Sequence, residues 1–238
     1  MSSKDKNSIE ETRSLVNKFI ESNQRKRKSL INDIESSFES LYQIGEEIIQ
    51  SFDREGDDWS NGWILQVLKK YKPDFFNNSN YNKWFLTYSE ININFDQLQL
   101  LLLEQNFEEA DRLTSAYLRK LAGKVAENRG YVFYSEVKNM PEKDLVSIDR
   151  LWSIYSQGKF SFSVQAKLLK SVGKRYELLW PKIGWKKDGI WTRYPSSFCW
   201  SLKAPDGHMP LVNQLRGVRL MDSILRHPSI AKRHDNCL

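Results

Sequence analysis

Residues 95–121, FDQLQLLLLEQNFEEADRLTSAYLRKL, decide the fold class. Leu98, Leu101 and Leu102 fall on one face at helical spacing, and Asn106 interrupts the pattern. Phe107–Leu121 then resumes it through Ala110, Leu113, Tyr117 and Leu118. The adjacent acids Glu108 and Glu109 suit a helix first turn, where the macrodipole favours negative charge. Neighbours on a helix point in different directions, so neither this pair nor Asp57–Asp58 can work as a catalytic dyad.

The same periodicity extends outward. Ser8-Ile9-Glu10-Glu11 reads as a capping box opening a helix, and Ile31, Ile34, Phe38, Leu41 and Ile48 predict a second. Asp57, Asp58, Ser60 and Asn61 precede a short helix over Trp63–Tyr71, which Pro73 stops. The basic run Arg25–Lys28 reads as a solvated face or turn between helices. Residues 73–93 form a connector docked through Phe75, Trp84 and Phe85. Downstream, Ala122–Gly130 reads as a loop, and Leu145, Ile148, Leu151, Trp152 and Tyr155 as an amphipathic helix ended by Gly158. Ser161 or Ser163 caps Val164–Ser171, and Lys174–Trp180 follows Gly173. Lys187-Asp188-Gly189 has hairpin-turn chemistry within Trp185–Trp191. Pro210 predicts the start of a last helix that runs to His227-Pro228. The expectation is all-α, in two parts: an N-terminal helical region, 1–90, and a second helical domain, 91–238.

Composition narrows the class. The chain has 238 residues, 40% hydrophobic and 28% charged, which suits a water-soluble globular protein. Its longest apolar run, Leu98–Leu103, is interrupted by Gln99 and is far too short to span a bilayer. The start, MSSKDKNSIEE, lacks both the apolar core of a secretory signal and the Arg-rich, acid-poor character of a transit peptide. The expectation is therefore a protein that works where it is translated. Cys199 and Cys237 make neither a disulfide framework nor a zinc site. The net charge of +6 is uneven: residues 1–90 carry −2 and residues 91–238 carry +8. Such a field attracts anions, whether nucleic acid, phosphate or a carboxylated small molecule.

No phosphate-binding glycine loop, zinc-protease, serine-hydrolase or paired-cysteine motif occurs. His208, His227 and His234 are widely separated, and His208, in the turn APDGHMP, reads as a histidine held by local backbone rather than a metal ligand. The sequence thus offers binding rather than catalysis. Residues 178–219, LLWPKIGWKKDGIWTRYPSSFCWSLKAPDGHMPLVNQLRGVR, place Trp180, Trp185, Trp191 and Trp200 among Gly, Pro and Lys. Asn213, Arg216 and Arg219 follow three residues apart, on one side of the expected last helix. Rings beside cations suggest a flat, anionic partner. Trp152 and Trp180 read as core; residue type alone leaves Trp191, Tyr194 and Phe198 divided between scaffold and contact. A module that stacks single-stranded nucleic acid satisfies the same features.

The blocks LLWPKIGWKKDGIWTR, SFCWSLKAPDGHMPLVNQLRGVRL and ILRHP, with NFEEAD, LAG, SEV and GKFSFSVQ upstream, resemble the genomes-uncoupled tetrapyrrole-binding family over Phe95–Pro228. That resemblance implies a compact domain shaped like a cupped hand, without catalytic activity or intrinsic cofactor. It implies binding of protoporphyrin IX and Mg-protoporphyrin IX. The partner it implies is the large subunit of magnesium chelatase, whose action in chlorophyll synthesis the protein would promote. Matched onto this chain, the contacts are Phe133 and Tyr134 before SEV, Tyr194 after TR, and Asn213, Arg216 and Arg219 of NQLRGVR; Trp191 and Phe198 join them as neighbouring aromatics. Tyr194 departs from a Trp found there in the family. The resemblance, with an Asn-, Lys- and Ile-rich composition, implies a plastid-encoded stromal protein or a cyanobacterial cytoplasmic one. The sequence leaves membrane association open.

Overall fold

The computed structural model describes residues 3–76, 80–212 and 218–235. Its first four helices are α1 (Ser3–Glu21), α2 (Gln24–Ser36), α3 (Phe38–Gln50) and α4 (Trp59–Tyr71). Ser8 does not open a helix: it lies inside α1, and its hydroxyl meets that of Ser40 at 2.8 Å. The expected single helix through Ile31 and Ile48 breaks at Ser37. Arg27 is no solvated residue of its basic run. Its guanidinium donates to the Phe19 carbonyl (3.0 Å), at the C-terminal end of α1, and to both oxygens of Asp58. Asp58 in turn accepts from Ser60 N at 2.9 Å and caps α4.

Two 3-10 turns, Pro73–Phe76 and Asn80–Lys83, connect to α5 (Asp96–Leu103), α6 (Phe107–Leu121) and α7 (Lys124–Arg129). Phe85 docks the connector firmly; its N–H donates to Gln99 Oε1 (2.8 Å) and its carbonyl accepts from Gln99 Nε2 (3.1 Å). The break between α5 and α6 falls where Asn106 sits, and the Asn106 side chain caps α6 by accepting from Glu109 N. Residues 124–129, expected in a loop, form α7 instead. Gly130, at φ +84°, ends that helix with an N–H to the Ala126 carbonyl at 3.0 Å.

Helix α8 (Glu142–Tyr155) is the central strut, and α9 (Phe162–Ser171) follows with Ser161 as its cap. α4 lies against α8 so closely that a Cβ on Gly62 would stand 2.8 Å from the Ile154 carbonyl. Gln66 of α4 donates to the carbonyls of Leu102 and Tyr155. One apolar core therefore runs through both halves of the chain.

The C-terminal part comprises α10 (Tyr176–Lys182), a hairpin of β1 (Lys186–Lys187) and β2 (Ile190–Trp191), α11 (Arg219–Leu225) and α12 (Pro228–Asp235). Asp188 and Gly189 turn the hairpin at φ +51° and +81°, as their residue types predict. The last helix does not begin at Pro210, because residues 210–212 are non-helical and α11 starts at Arg219. Nor does helix end at Pro228, which opens α12. Buried Asp149 of α8 accepts from Ser163 N at the start of α9 and from Arg233 of α12, both at 2.8 Å. Arg233 also pairs with Asp57 at 2.9 Å, fastening the C-terminal helix to the N-terminal half.

Candidate functional site

Asp111, Ser115 and Arg119 recur every fourth residue and so share one face of α6. Two adjoining hollows open over that face, with Ser115, Arg119 and Leu211 common to both. The larger, about 900 Å³, is closed on its far side by Trp191, Tyr194 and Phe198. The smaller is walled by Phe133, Tyr134 and Arg219. The described candidates are thus gathered around a single cleft. Asn213 and Arg216 lie outside the described residues.

The 131–134 wall is braced from α7. The Arg129 guanidinium covers the rings of Tyr131 and Phe133, at 4.6 and 4.1 Å from their centroids, and pairs with Glu136 at 2.7 Å. Burial alone would raise the Glu136 carboxyl, but the Phe133 N–H and Arg129 together hold it below the usual range. Across this wall the Arg219 guanidinium lies 5.4 Å from the Tyr134 ring centroid. Phe133 and Tyr134 still turn 39% and 47% of their surface to solvent.

The opposite wall rests on a tryptophan stack. Trp180 and Trp185 lie face to face at 5.6 Å, and Trp191 tilts onto Trp180 at the same distance. Trp185 is fixed by an indole N–H to the His208 carbonyl at 2.7 Å. Trp191 and Tyr194 are 47% and 44% exposed and present free ring surface. Phe198 borders the cleft but is buried, packed on His208 and Trp200, so it supports the wall more than it faces a ligand.

His208 itself is bound on both nitrogens. Nδ1 donates to the Ile183 carbonyl (2.7 Å) and Nε2 accepts from Cys199 N (3.2 Å), which fixes the neutral tautomer. Burial lowers its proton affinity further. It is held by backbone, as the sequence predicts, but by two separate segments rather than its own turn. Among the described residues, no cluster of His, Cys, Asp and Glu is placed to hold a metal ion, and no helix is long and apolar enough to cross a membrane.

Charge in the cleft is mostly positive. Arg112 is neutralised by Glu108 and Glu109, at 2.6 and 2.8 Å. Arg119, Arg193 and Arg219 make no ion pair among the described residues. Among the described lining residues the one acid is Asp111, 1% exposed, which accepts from Leu211 N at 2.6 Å. Burial pushes its carboxyl up to about 7, against the lowering pull of that N–H, of the Tyr194 hydroxyl and of Arg112. Tyr194 is raised in turn by burial and by the neighbouring carboxylate. Sequence reasoning missed Asp111, Ser115 and Arg119, although their i, i+4, i+8 spacing was a signal that they share a face.

The model of the family described as GUN4-like matches residues 88–228. The chain is 48% identical over 136 residues to the Ycf53-like protein of Synechocystis, covering 57% of this chain and 58% of that protein. It is 40% identical over 151 residues to the chloroplastic tetrapyrrole-binding protein of Arabidopsis thaliana, covering 60% of this chain and 57% of that protein. These matches therefore span less than two thirds of the relatives' own lengths. Among solved structures, GUN4 of Chlamydomonas reinhardtii superposes with a TM-score of 0.60 at 33% identity, covering 63% of this chain and 96% of that one. Ligand-free Arabidopsis thaliana GUN4 gives 0.54 at 41%, covering 58% and 98%. The relatives place the chain's origin in plastids or cyanobacteria. It belongs to the GUN4-like family.

Proposed function

We propose that the protein binds a tetrapyrrole, specifically protoporphyrin IX and its magnesium complex, in the cleft over α6, and delivers it to magnesium chelatase without catalysing a reaction itself. The observation that carries this reading is the pairing of exposed flat rings, Trp191, Tyr194, Phe133 and Tyr134, with Arg119, Arg193 and Arg219, which make no ion pair among the described residues, around two adjoining hollows, the larger about 900 Å³. A protoporphyrin is a flat apolar disc with two carboxylates, so rings take its faces and guanidinium groups its propionates. Burying on the order of 200 Å² of apolar surface contributes roughly 5 kcal/mol, part of it offset by ordering the walls, so the guanidinium–propionate contacts must supply the rest of a useful affinity. The name of the Arabidopsis relative, a tetrapyrrole-binding protein, supports the same ligand class. Asn213 and Arg216 belong to this reading as further contacts, residues 91–238 as the binding domain, and 1–90 as an added helical region.

Titration with protoporphyrin IX and Mg-protoporphyrin IX, followed by tryptophan emission, tests it. Trp191 and the stacked Trp180 and Trp185 make quenching the expected signal, little affected by salt. Unchanged emission at saturating porphyrin refutes the proposal. Tight binding of oligonucleotides with a steep salt dependence would favour the nucleic-acid alternative.

A further inference from the structure

Glu136, the acid of SEV, follows directly on Phe133 and Tyr134 at a cleft for an anionic disc, and by charge alone it opposes binding. Its contacts point the other way. Oε2 accepts from the Phe133 N–H and from Arg129, both at 2.7 Å. Burial alone would raise this carboxyl, but those two donors hold it below the usual range, so it is ionised at neutral pH. Arg129 also donates twice to the Tyr131 carbonyl, at 2.9 and 3.2 Å, and covers the rings of Tyr131 and Phe133. Residues 129–136 are therefore a loop closed at its ends by an ion pair, and residues 130–134 within it line the smaller hollow. At one end Gly130 turns the chain out of α7; at the other, buried Val137 anchors the 3-10 turn Tyr134–Asn139. Neither Arg129 nor Glu136 is among the described lining residues of either hollow.

We infer that Glu136, acting through the Phe133 N–H and Arg129, is a positioning residue for tetrapyrrole binding: it presets the Phe133–Tyr134 wall in the form that receives the macrocycle. This rests on the tetrapyrrole reading of the cleft and adds to it a residue that acts without touching the ligand. Phe133 and Tyr134 are too exposed, at 39% and 47%, for apolar packing alone to hold them. A short loop with half-exposed rings opens locally, and every excursion subtracts from the population able to bind. The Glu136 carboxylate ties the backbone at Phe133, and the Arg129 guanidinium, held by that carboxylate, ties the ring planes. The electrostatic cost is small, because Arg129 matches the charge of Glu136 at 2.7 Å and a propionate meets a neutral pair. The ordering remains.

Glu136→Ala separates the two effects by sign. It removes a negative charge and both hydrogen bonds, so if charge alone mattered a dianionic porphyrin would bind more tightly, most clearly at low salt. Positioning predicts the reverse: about tenfold weaker binding of protoporphyrin IX, read by tryptophan quenching, if the loosened wall is competent about a tenth of the time. In stopped flow that loss falls on the association rate, whereas loss of a direct ligand contact would speed release. Glu136→Gln, which keeps an oxygen for the Phe133 N–H, is expected to recover most of the affinity. Arg129→Lys conserves net charge but cannot lie flat over two rings; it should bind about threefold more weakly, and it serves if the Ala protein folds poorly. Equal or tighter binding by folded Glu136→Ala or Arg129→Lys, or a loss carried wholly by faster release, overturns the inference and leaves tetrapyrrole binding intact. Failure of the wild type to bind porphyrin overturns both.

Discussion

Asp111→Asn is expected to abolish one large component of the protein's pH-dependent stability. In the fold the carboxyl titrates at about 7, whereas the free side chain titrates near 3.8. Because the folded pKa is raised, the folded state holds the proton more tightly than the unfolded chain. The stability contribution is complete below the unfolded value and is lost as pH rises towards about 7; above that it is constant. From pH 5 to pH 8 the wild type crosses about two units of that window, which corresponds to about 3 kcal/mol. Other titrating groups, including the depressed His208 and His227, are common to both proteins and cancel in the comparison. Urea unfolding followed by tryptophan emission, at pH 5 and pH 8 for both proteins, gives the number as a double difference. The expected result is that Asn gains about 3 kcal/mol on the wild type between the two pH values, with equal slopes in urea. Parallel pH profiles would refute the reasoning, because they would mean that the Asp111 carboxyl is already ionised in the fold at pH 5.

Three further outcomes follow from the geometry. Arg119→Ala removes the cation common to both hollows and should weaken porphyrin binding about tenfold at low salt without altering the urea midpoint, measured by quenching and unfolding on the same sample. Asp149→Ala leaves Arg233 without its buried partner and α9 without the Ser163 contact, so unfolding should show a loss of about 3–5 kcal/mol. Gly62→Ala drives a methyl to within 2.5 Å of Ile154 Cγ2 and 2.8 Å of its carbonyl, where α8 cannot yield as a side chain would; a destabilisation of about 1–3 kcal/mol in urea is expected, and none would show that α4 and α8 are further apart.

How much of this was legible depends on the range of the interaction. The α5–α6 break at Asn106 and the Asp188-Gly189 hairpin are local, and sequence places them correctly; it narrows the α9 cap to Ser161 or Ser163, of which the structure uses Ser161. α7 was not legible, because KVAENR is too short to show a stripe; only Ala126 is buried, and the helix is held by its neighbours and by Gly130. Ser8 misled for the complementary reason. Its capping pattern is genuine chemistry, but the chain before it also forms helix. Phe198 looked like a loop aromatic and proved to be packed on His208, ten residues on.

The cleft repeats this division. Its rings and Arg219 stand out by residue type, and the family resemblance gathers them, but Asp111 looks like one more acid in a helix that begins with Glu108 and Glu109. What makes it different is Leu211, one hundred positions away, whose N–H takes one oxygen while the other is buried. The +8 charge of residues 91–238 was likewise readable, but it does not say which cations are spent. Arg112 is neutralised by two glutamates, Arg129 is committed to Glu136 and to the rings it covers, and Arg119 makes no ion pair among the described residues. A binding site for a large anionic disc therefore needs fewer arginines than composition suggests, provided that they are the unpaired ones.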